Sequence, residues 1–239
     1  LSTAKHFAAY GAAEAGLDYN TVDLSERTLR EVYLPPYKAA LDAGALSVMA
    51  SFNEISGIPA TGNRWLMRDV LRGEWKFDGF VVSDYTGDEE MIAHGYAKDG
   101  RDAARIAFLA GVGMSMQSGL YRKHLPDLVR SGDVPEALLN ESVRKVLAMK
   151  AMLGLFEDPF RRIDEKREQS RSMHPRSRAL AREAGRKSIV LLKNDGDLLP
   201  LPKSGKRIAL IGPFAAGQHD LVGPWVVYGT DEKAVDLAT

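Results

Sequence analysis

Short apolar runs alternate with longer amphipathic segments from residue 3 to about residue 153. Each run is only a few residues long and mostly apolar, which is typical of strands buried on both faces of a sheet. This pattern predicts strands over 3–8, 46–52, 79–83 and 112–116.

Helical periodicity fills the segments between and after these runs. The predicted helices cover about 23–41, 63–72, 101–110, 120–131 and 135–153. Several ends carry ordinary helix signals, namely a capping box at Asp23 and Glu26 and an N-cap at Asn63. Glycines are predicted to end the last four helices, namely Gly73, Gly111, Gly132 and Gly154. The pair Pro35-Pro36 must break or kink the first helix.

Four βα units of this kind make half of an eight-stranded (β/α) barrel or most of a doubly wound sheet. Periodicity alone does not choose between the two. No glycine-rich dinucleotide or phosphate-binding fingerprint follows any of the strands, which disfavours a nucleotide-binding sheet. The sequence therefore predicts an α/β fold with its sheet buried between helices.

A charged segment with prolines at 159 and 175 follows this region and predicts a linker. Residues 161–187 carry 10 basic against 4 acidic side chains, which we interpret as a solvated connector and helix face. Strand-like runs then return at 188–194 and 207–213, so a second α/β domain is predicted to begin near residue 188.

Composition narrows the class of protein. Apolar residues make up 45% and charged residues 27% of the chain, which is ordinary for a globular protein. Lys and Arg total 32 and Asp and Glu total 32, so no net field favours nucleic acid as a partner. No apolar run approaches the roughly 18 residues of a membrane span, and there is no cysteine. The chain opens at Leu1 almost directly on a motif, and we interpret it as a piece of a longer protein.

Polar side chains stand at the carboxyl ends of the four predicted strands, the edge where parallel barrels carry their chemistry. They are Lys5 and His6, Asn53 with Met49 and Phe52 nearby, Asp84 and Tyr85, and Met116 and Gln117. A carboxylate, an ammonium, an imidazole, an amide and aromatic surface together suit a polyhydroxylated ring. Singly, each residue has an ordinary structural interpretation, and Asp84 could simply cap the next helix. Their joint position predicts a carbohydrate site.

The motifs at these positions resemble those of glycoside hydrolase family 3, with the bacterial periplasmic β-glucosidases as the nearest branch. The motifs, in order, are AKHFAAYG, SVMASFNEISGIPATGN, GFVVSDYTG, SIVLLKNDGDLLPLP and IALIGP. The resemblance covers essentially the whole chain. It implies the second half of a (β/α)8-type barrel in residues 1–156, a linker and connecting helix in 157–187, and the start of an α/β sandwich domain in 188–239.

The resemblance also implies the chemistry, which is hydrolysis of terminal β-D-glucosides from the non-reducing end with retention of configuration. Asp84 falls on the family's nucleophile. The family's acid/base Glu comes from the second domain and is expected to lie outside this chain. Retention needs two carboxyl groups about 5–5.5 Å apart, and a Lys5 ammonium near Asp84 would favour its charged form.

The sugar-binding residues implied by the family are Lys5, His6 and Met49, together with Phe52 and Tyr85. Phe52 stands where the family often has Tyr, and Tyr85 where it often has Trp. The sequence AAYG after Lys-His-Phe differs from the Pro-Gly-His-Gly of the N-acetylglucosaminidase branch. We expect a small carbohydrate as ligand, no metal or cofactor, a possible homodimer, and a periplasmic or secreted location.

Two other functions stay open at this point. A lysine on a barrel strand is compatible with a Schiff-base lyase using Lys5, which would require a depressed lysine pKa. Alternatively, the chain is a non-catalytic carbohydrate-binding or scaffold fragment. Trapping with borohydride tests the first, and a sugar titration combined with a turnover assay tests the second.

Overall fold

A computed structural model of the chain describes residues 1–224, 226 and 234–238. These residues divide into two compact units, Leu1–Glu165 and Lys166–Thr239. The first unit holds every strand that the structure describes. None of the described helices is long and apolar enough to cross a membrane.

Four parallel strands form the main sheet of the first unit, in the order β1-β3-β6-β7, and a small sheet has the order β2-β4-β5. The strands are β1 (Thr3–Phe7), β2 (Thr21–Val22), β3 (Ser47–Ala50), β4 (Glu54–Ile55), β5 (Ile58–Pro59), β6 (Phe80–Tyr85) and β7 (Met114–Met116). The four predicted strands are confirmed, with narrower bounds for three of them. The third, β6, instead runs two residues further than predicted, so that Asp84 and Tyr85 lie within the strand.

Helices separate the strands of the main sheet, which confirms the predicted α/β fold class. They are α1 (Glu26–Thr28) continued by a π-helical turn (Leu29–Tyr33), α2 (Pro35–Asp42), a π-helix (Trp65–Glu74), α3 (Glu90–Ala93), α4 (Gly100–Ala110), α5 (Leu120–Arg130) and α6 (Glu136–Met152). In the second unit follow α7 (Glu165–Arg171), which starts at the last residue of the first unit, and α8 (Pro175–Ser188). Pro35 begins α2, so the predicted break of the first helix is confirmed.

Helix ends follow local hydrogen bonding. The side chain of Asn63 accepts from the Leu66 amide at 3.0 Å, which confirms the predicted N-cap. Ser25, not Asp23, caps α1, because its hydroxyl accepts from the Thr28 amide at 3.1 Å. Gly73 does not end its helix but lies inside it. Gly111 ends α4 as predicted, with the positive φ of 115° that favours glycine.

The main sheet has one face packed on helices and another that carries the candidate site. Val48 pairs in register with Val81, and both side chains are fully buried in the core. The helical partners in this core are apolar residues of the π-helix and of α4, namely Leu66, Met67, Val70, Leu71, Ala103, Ala104, Ala107 and Phe108. Met49 and Val82, the next pair in register, point to the opposite face because side chains alternate along a strand.

The second unit differs from the prediction. The segment 157–187, predicted as a linker and connecting helix, contains α7 and all but the last residue of α8. The predicted strands over 188–194 and 207–213 are wrong, because both runs lack strand structure in the described residues. Their apolar side chains are exposed, for example Val190 at 73% and Ile211 at 89%. A β-branched run becomes a strand only when a neighbour takes up its backbone hydrogen bonds, and no described segment pairs with these two.

Candidate active site

Asp84 provides a buried carboxylate near the carboxyl end of β6, and only 8% of the residue is exposed. Its Oδ1 atom accepts a hydrogen bond from the Tyr85 amide at 2.7 Å. Its Oδ2 atom is buried without a hydrogen-bond partner among the described residues. Buried polar atoms are nearly always paired, and a catalytic role is one explanation for an unpaired one. This oxygen therefore keeps its lone pairs available on the site face of the sheet.

The imidazole of His6 lies close to this oxygen, with Nε2 3.3 Å from Oδ2 of Asp84. The distance brings the two groups into electrostatic contact, although the geometry is not that of a hydrogen bond. Burial lowers the pKa of His6, and the opposing attraction of Asp84 is the smaller effect. Burial therefore disfavours the charged imidazolium that would pair with the carboxylate.

Two β-bulges fall on the candidate residues. Between Ala4 and Phe7, β1 advances three residues while β3 advances two, which leaves one extra residue at Lys5-His6. Between Val82 and Tyr85, β6 advances three residues while β7 advances two, which leaves one extra residue at Ser83-Asp84. Bulges occur near active sites because the extra residue re-aims a side chain.

Hydrogen bonds hold both bulges in place. The hydroxyl of Ser83 accepts from the Met116 amide at 2.8 Å and donates to the Asp84 carbonyl at 2.9 Å. The hydroxyl of Tyr37, on α2, donates to the carbonyl of His6. The backbone that carries Asp84 is thus fixed by a side chain of its own strand, and the backbone that carries His6 by a side chain of a neighbouring helix.

Lys5 does not occupy the position expected for it. The residue is exposed, and among the described residues it forms no ion pair. The expected ammonium next to Asp84 is therefore not seen, and the imidazole of His6 lies there instead. Lys5 instead borders a cavity of about 460 Å³ that also touches Tyr10, Tyr33 and Tyr37. An exposed lysine lacks the apolar surroundings that activate Schiff-base lysines, which speaks against the lyase hypothesis.

Met49 is half-buried and pairs in register with Val82, which comes just before the bulge that carries Asp84. Tyr85, at the end of β6, is 56% exposed and follows the carboxylate directly. Neither residue is part of the buried core, and their roles as sugar-binding residues stay predictions.

Phe52 belongs to an aromatic cluster that the sequence analysis missed. Its ring centroid lies 4.6 Å from that of Tyr19 and 6.1 Å from that of Tyr10. Tyr10 in turn meets His6 edge to face at 5.4 Å. The loop after β1 therefore brings two tyrosines to the site, which no strand-end motif indicates.

Two further carboxylates in this region were not singled out as site residues by the sequence. Asp18 accepts from the hydroxyl of Tyr10. Glu90 accepts from the Thr86 hydroxyl at 3.2 Å, and burial raises its pKa, with Asp84 a smaller contribution. Spacing could have suggested Glu90, since it stands four residues after Thr86 at the start of α3.

Three consecutive acids follow Asp84 at positions 88–90, and the structure gives them different surroundings. Only Glu90 begins α3. Asp88 is fully buried in the preceding loop, where its Oδ2 accepts from the hydroxyls of Ser115 at 2.7 Å and Ser118 at 3.0 Å. Asp88 therefore fastens this loop to the end of β7.

The sequence matches the model of the glycosyl hydrolase family 3 N terminal domain over residues 1–149, and that of the family 3 C-terminal domain over residues 189–237. A periplasmic β-glucosidase of Salmonella typhimurium is 47% identical over 240 residues, which cover 99% of this chain and 31% of that protein. A β-xylosidase of Formosa agariphila is 36% identical, over 96% of this chain and 33% of that protein.

Solved structures give the same result. The crystal structure of a β-glucosidase from Listeria innocua superposes with a TM-score of 0.86 at 48% identity, covering 99% of this chain and 32% of that chain. A structure of the same enzyme in complex with glucose superposes with a TM-score of 0.84. The chain thus spans about a third of the length of these relatives.

Proposed function

Because the chain belongs to glycosyl hydrolase family 3, we propose that it supplies the nucleophile half of a retaining β-glycosidase site, with Asp84 as the nucleophile. The substrates are β-D-glucosides cleaved at the non-reducing end. The Salmonella and Listeria relatives, which bear the name β-glucosidase, support this substrate class.

One observation carries the proposal, which is the buried Oδ2 atom of Asp84 without a hydrogen-bond partner among the described residues. A nucleophilic carboxylate must be ionised and must have an oxygen free to attack. A carboxylate whose only task is to cap a helix would accept a backbone amide of the following turn through that oxygen. Among the described residues, the side chain of Asp84 accepts a hydrogen bond only from the amide of Tyr85, within its own strand.

The reaction proceeds in two steps. Asp84 attacks the anomeric carbon and forms a glycosyl ester, while the bond from that carbon to the leaving oxygen breaks. An acid/base Glu from outside residues 1–239 protonates the leaving oxygen. The same group then removes a proton from water, which attacks the anomeric carbon, releases glucose and regenerates the carboxylate.

The remaining predicted residues bind the sugar. His6 is close enough to Asp84 to contact the hydroxyls flanking the anomeric carbon. Lys5 lies one residue away on the same bulge, and Met49, Phe52 and Tyr85 offer apolar surface to the C–H face of the ring. Interactions that strengthen in the oxocarbenium-like transition state accelerate the reaction, whereas uniform binding does not.

The test is to trap the intermediate on the enzyme expressed from its complete reading frame. A 2-deoxy-2-fluoro-β-glucoside slows hydrolysis of the glycosyl ester, so the sugar is expected to stay bound to Asp84 and to be located by peptide mass spectrometry. Asp84→Asn should not be labelled and should lose turnover by several orders of magnitude. Glu89→Gln, an exposed acid nearby, is the matched control and should behave as wild type. A label on another carboxylate would refute the assignment.

We also propose a periplasmic location, supported by the name of the Salmonella relative. Cell fractionation with a reporter fused after the chain would test it. The predicted homodimer remains a prediction that light scattering can check. Because a β-xylosidase is also similar in sequence to this chain, substrate specificity should be measured as the ratio of glucoside to xyloside turnover.

A further inference from the structure

Tyr19 presents an exposed aromatic ring in the loop after β1, within the aromatic cluster that reaches His6. The residue is 42% exposed, and its ring packs on Phe52 at a centroid distance of 4.6 Å and an interplanar angle of 50°. An exposed ring held by such a contact can stack on the C–H face of a sugar. Aromatic rings of this kind add binding energy beyond the area they bury.

The loop holds Tyr19 in a backbone conformation that tyrosine rarely adopts, with a φ of 64°. Asp18 accounts for this, since its Oδ1 accepts from the Tyr19 amide at 3.0 Å and also from the hydroxyl of Tyr10. The following Asn20 donates to the Glu14 carbonyl at 3.1 Å and so closes the loop. Non-glycine residues held in this region concentrate at functional sites.

Continuous ring contacts lead from Tyr19 to the nucleophile. Phe52 meets Tyr10, Tyr10 meets His6 at 5.4 Å, and Nε2 of His6 lies 3.3 Å from Asp84. Burial raises the pKa of the Tyr19 hydroxyl, and the carboxylates of Glu90, Asp18 and Asp84 raise it further. The hydroxyl therefore stays protonated and can donate to a sugar oxygen.

The ring lies on the outer side of the site. Asp84 is 8% exposed, whereas Tyr19 is 42% exposed. The sugar attacked by Asp84 must reach the buried carboxylate, while the group that leaves must depart toward solvent. The exposed ring is thus placed for the sugar unit that leaves and not for the one that Asp84 attacks.

We propose that Tyr19 is a specificity-determining residue that stacks on the pyranose ring of the leaving group. This inference rests on the proposed function, because it presumes attack by Asp84. The proposed function does not otherwise use the loop after β1. The inference gives this loop the role of recognising disaccharides in preference to simple β-glucosides.

The experiment compares two substrates on the enzyme from its complete reading frame. Laminaribiose carries a sugar as leaving group, and β-D-glucosyl fluoride carries only fluoride. Tyr19→Ala should lower kcat/KM for the disaccharide roughly tenfold, and should leave that for the fluoride within twofold of wild type. Tyr19→Phe retains the ring and should recover most of the disaccharide activity. Tyr96→Ala changes a similarly exposed tyrosine on another segment and should alter neither.

The outcomes separate the two claims. Wild-type enzyme that hydrolyses neither substrate would overturn the proposed function and this inference with it. Suppose instead that the wild-type enzyme hydrolyses both substrates. Then a Tyr19→Ala variant that loses kcat/KM equally for both substrates, or for neither, would overturn the inference alone. If Tyr19→Ala does not fold, Tyr19→Leu keeps the apolar contact with Phe52 without an aromatic face, and the same substrate ratio decides.

Discussion

Gly79 immediately precedes β6, and replacing it with alanine should destabilise the strand that carries Asp84. A Cβ atom at this position would lie 2.1 Å from the carbonyl oxygen of Leu46 and 2.4 Å from the ring of Phe77. Favourable contacts between non-bonded heavy atoms lie at about 3.5–4.0 Å. The overlap with Leu46 is with backbone, so no rotamer change relieves it.

The cost follows from what must move. The Leu46 oxygen accepts from the Phe80 amide at 3.3 Å, and the buried guanidinium of Arg72 donates to the carbonyl of Gly79 itself. Forced backbone shifts of this kind cost about 1–3 kcal/mol, and a lost hydrogen bond adds about 1 kcal/mol. We expect Gly79→Ala to lower the free energy of unfolding by about 2–4 kcal/mol.

Gly73→Ala is the matched control. It lies inside the π-helix, and a Cβ atom there would meet only the Arg68 carbonyl oxygen, at an ordinary 3.4 Å. Alanine should stabilise this helix by up to about 1 kcal/mol. Urea unfolding followed by tryptophan fluorescence measures both variants, and hydrogen exchange over 80–85 reports opening of β6. Gly79→Ala within about 0.5 kcal/mol of wild type would refute the reasoning.

Two further variants test the helix cap and the titration of the site. Asn63→Ala removes the acceptor for the Leu66 amide and should cost about 1 kcal/mol in urea unfolding, whereas Asn63→Asp should cost less. Burial raises the pKa of Glu90 above 4.5, so its contribution to stability is fully present below pH 4.5 and is lost as the pH rises through the folded pKa. Glu90→Gln should therefore have a higher free energy of unfolding than wild type at pH 7, and this advantage should disappear at pH 4. A difference in free energy of unfolding that is the same at both pH values would contradict this.

Much of the first unit could be predicted because its signals are local. Apolar runs gave the four main strands, since a strand buried on both faces needs apolar side chains throughout. Gly111 and Asn63 correctly predicted helix ends. Gly111 acts through its own backbone conformation, and Asn63 accepts from an amide three residues away. Ser25 shows the limit, because Asp23 has the same capping chemistry and only the path of the chain decides between them.

Other features depend on partners that a single strand does not reveal. The runs at 188–194 and 207–213 have strand composition, but pairing is a property of two segments. The aromatic cluster was missed for the same reason, because Tyr19 and Phe52 are 33 positions apart in sequence and meet only through the loop after β1. The position of Asp84 was predicted correctly, whereas the neighbour expected for it was not.

His6, and not the expected Lys5, lies beside Asp84, and this difference has a single physical cause. With regular alternation, adjacent residues point to opposite faces of a sheet, so only one of Lys5 and His6 can face the carboxylate. The bulge on β1 adds one residue to this stretch, and the bulge on β6 adds one at Asp84 itself. Each insertion changes the facing of the residues that follow it. Sequence motifs therefore identify the residues of this site, whereas the two bulges decide which of them meet.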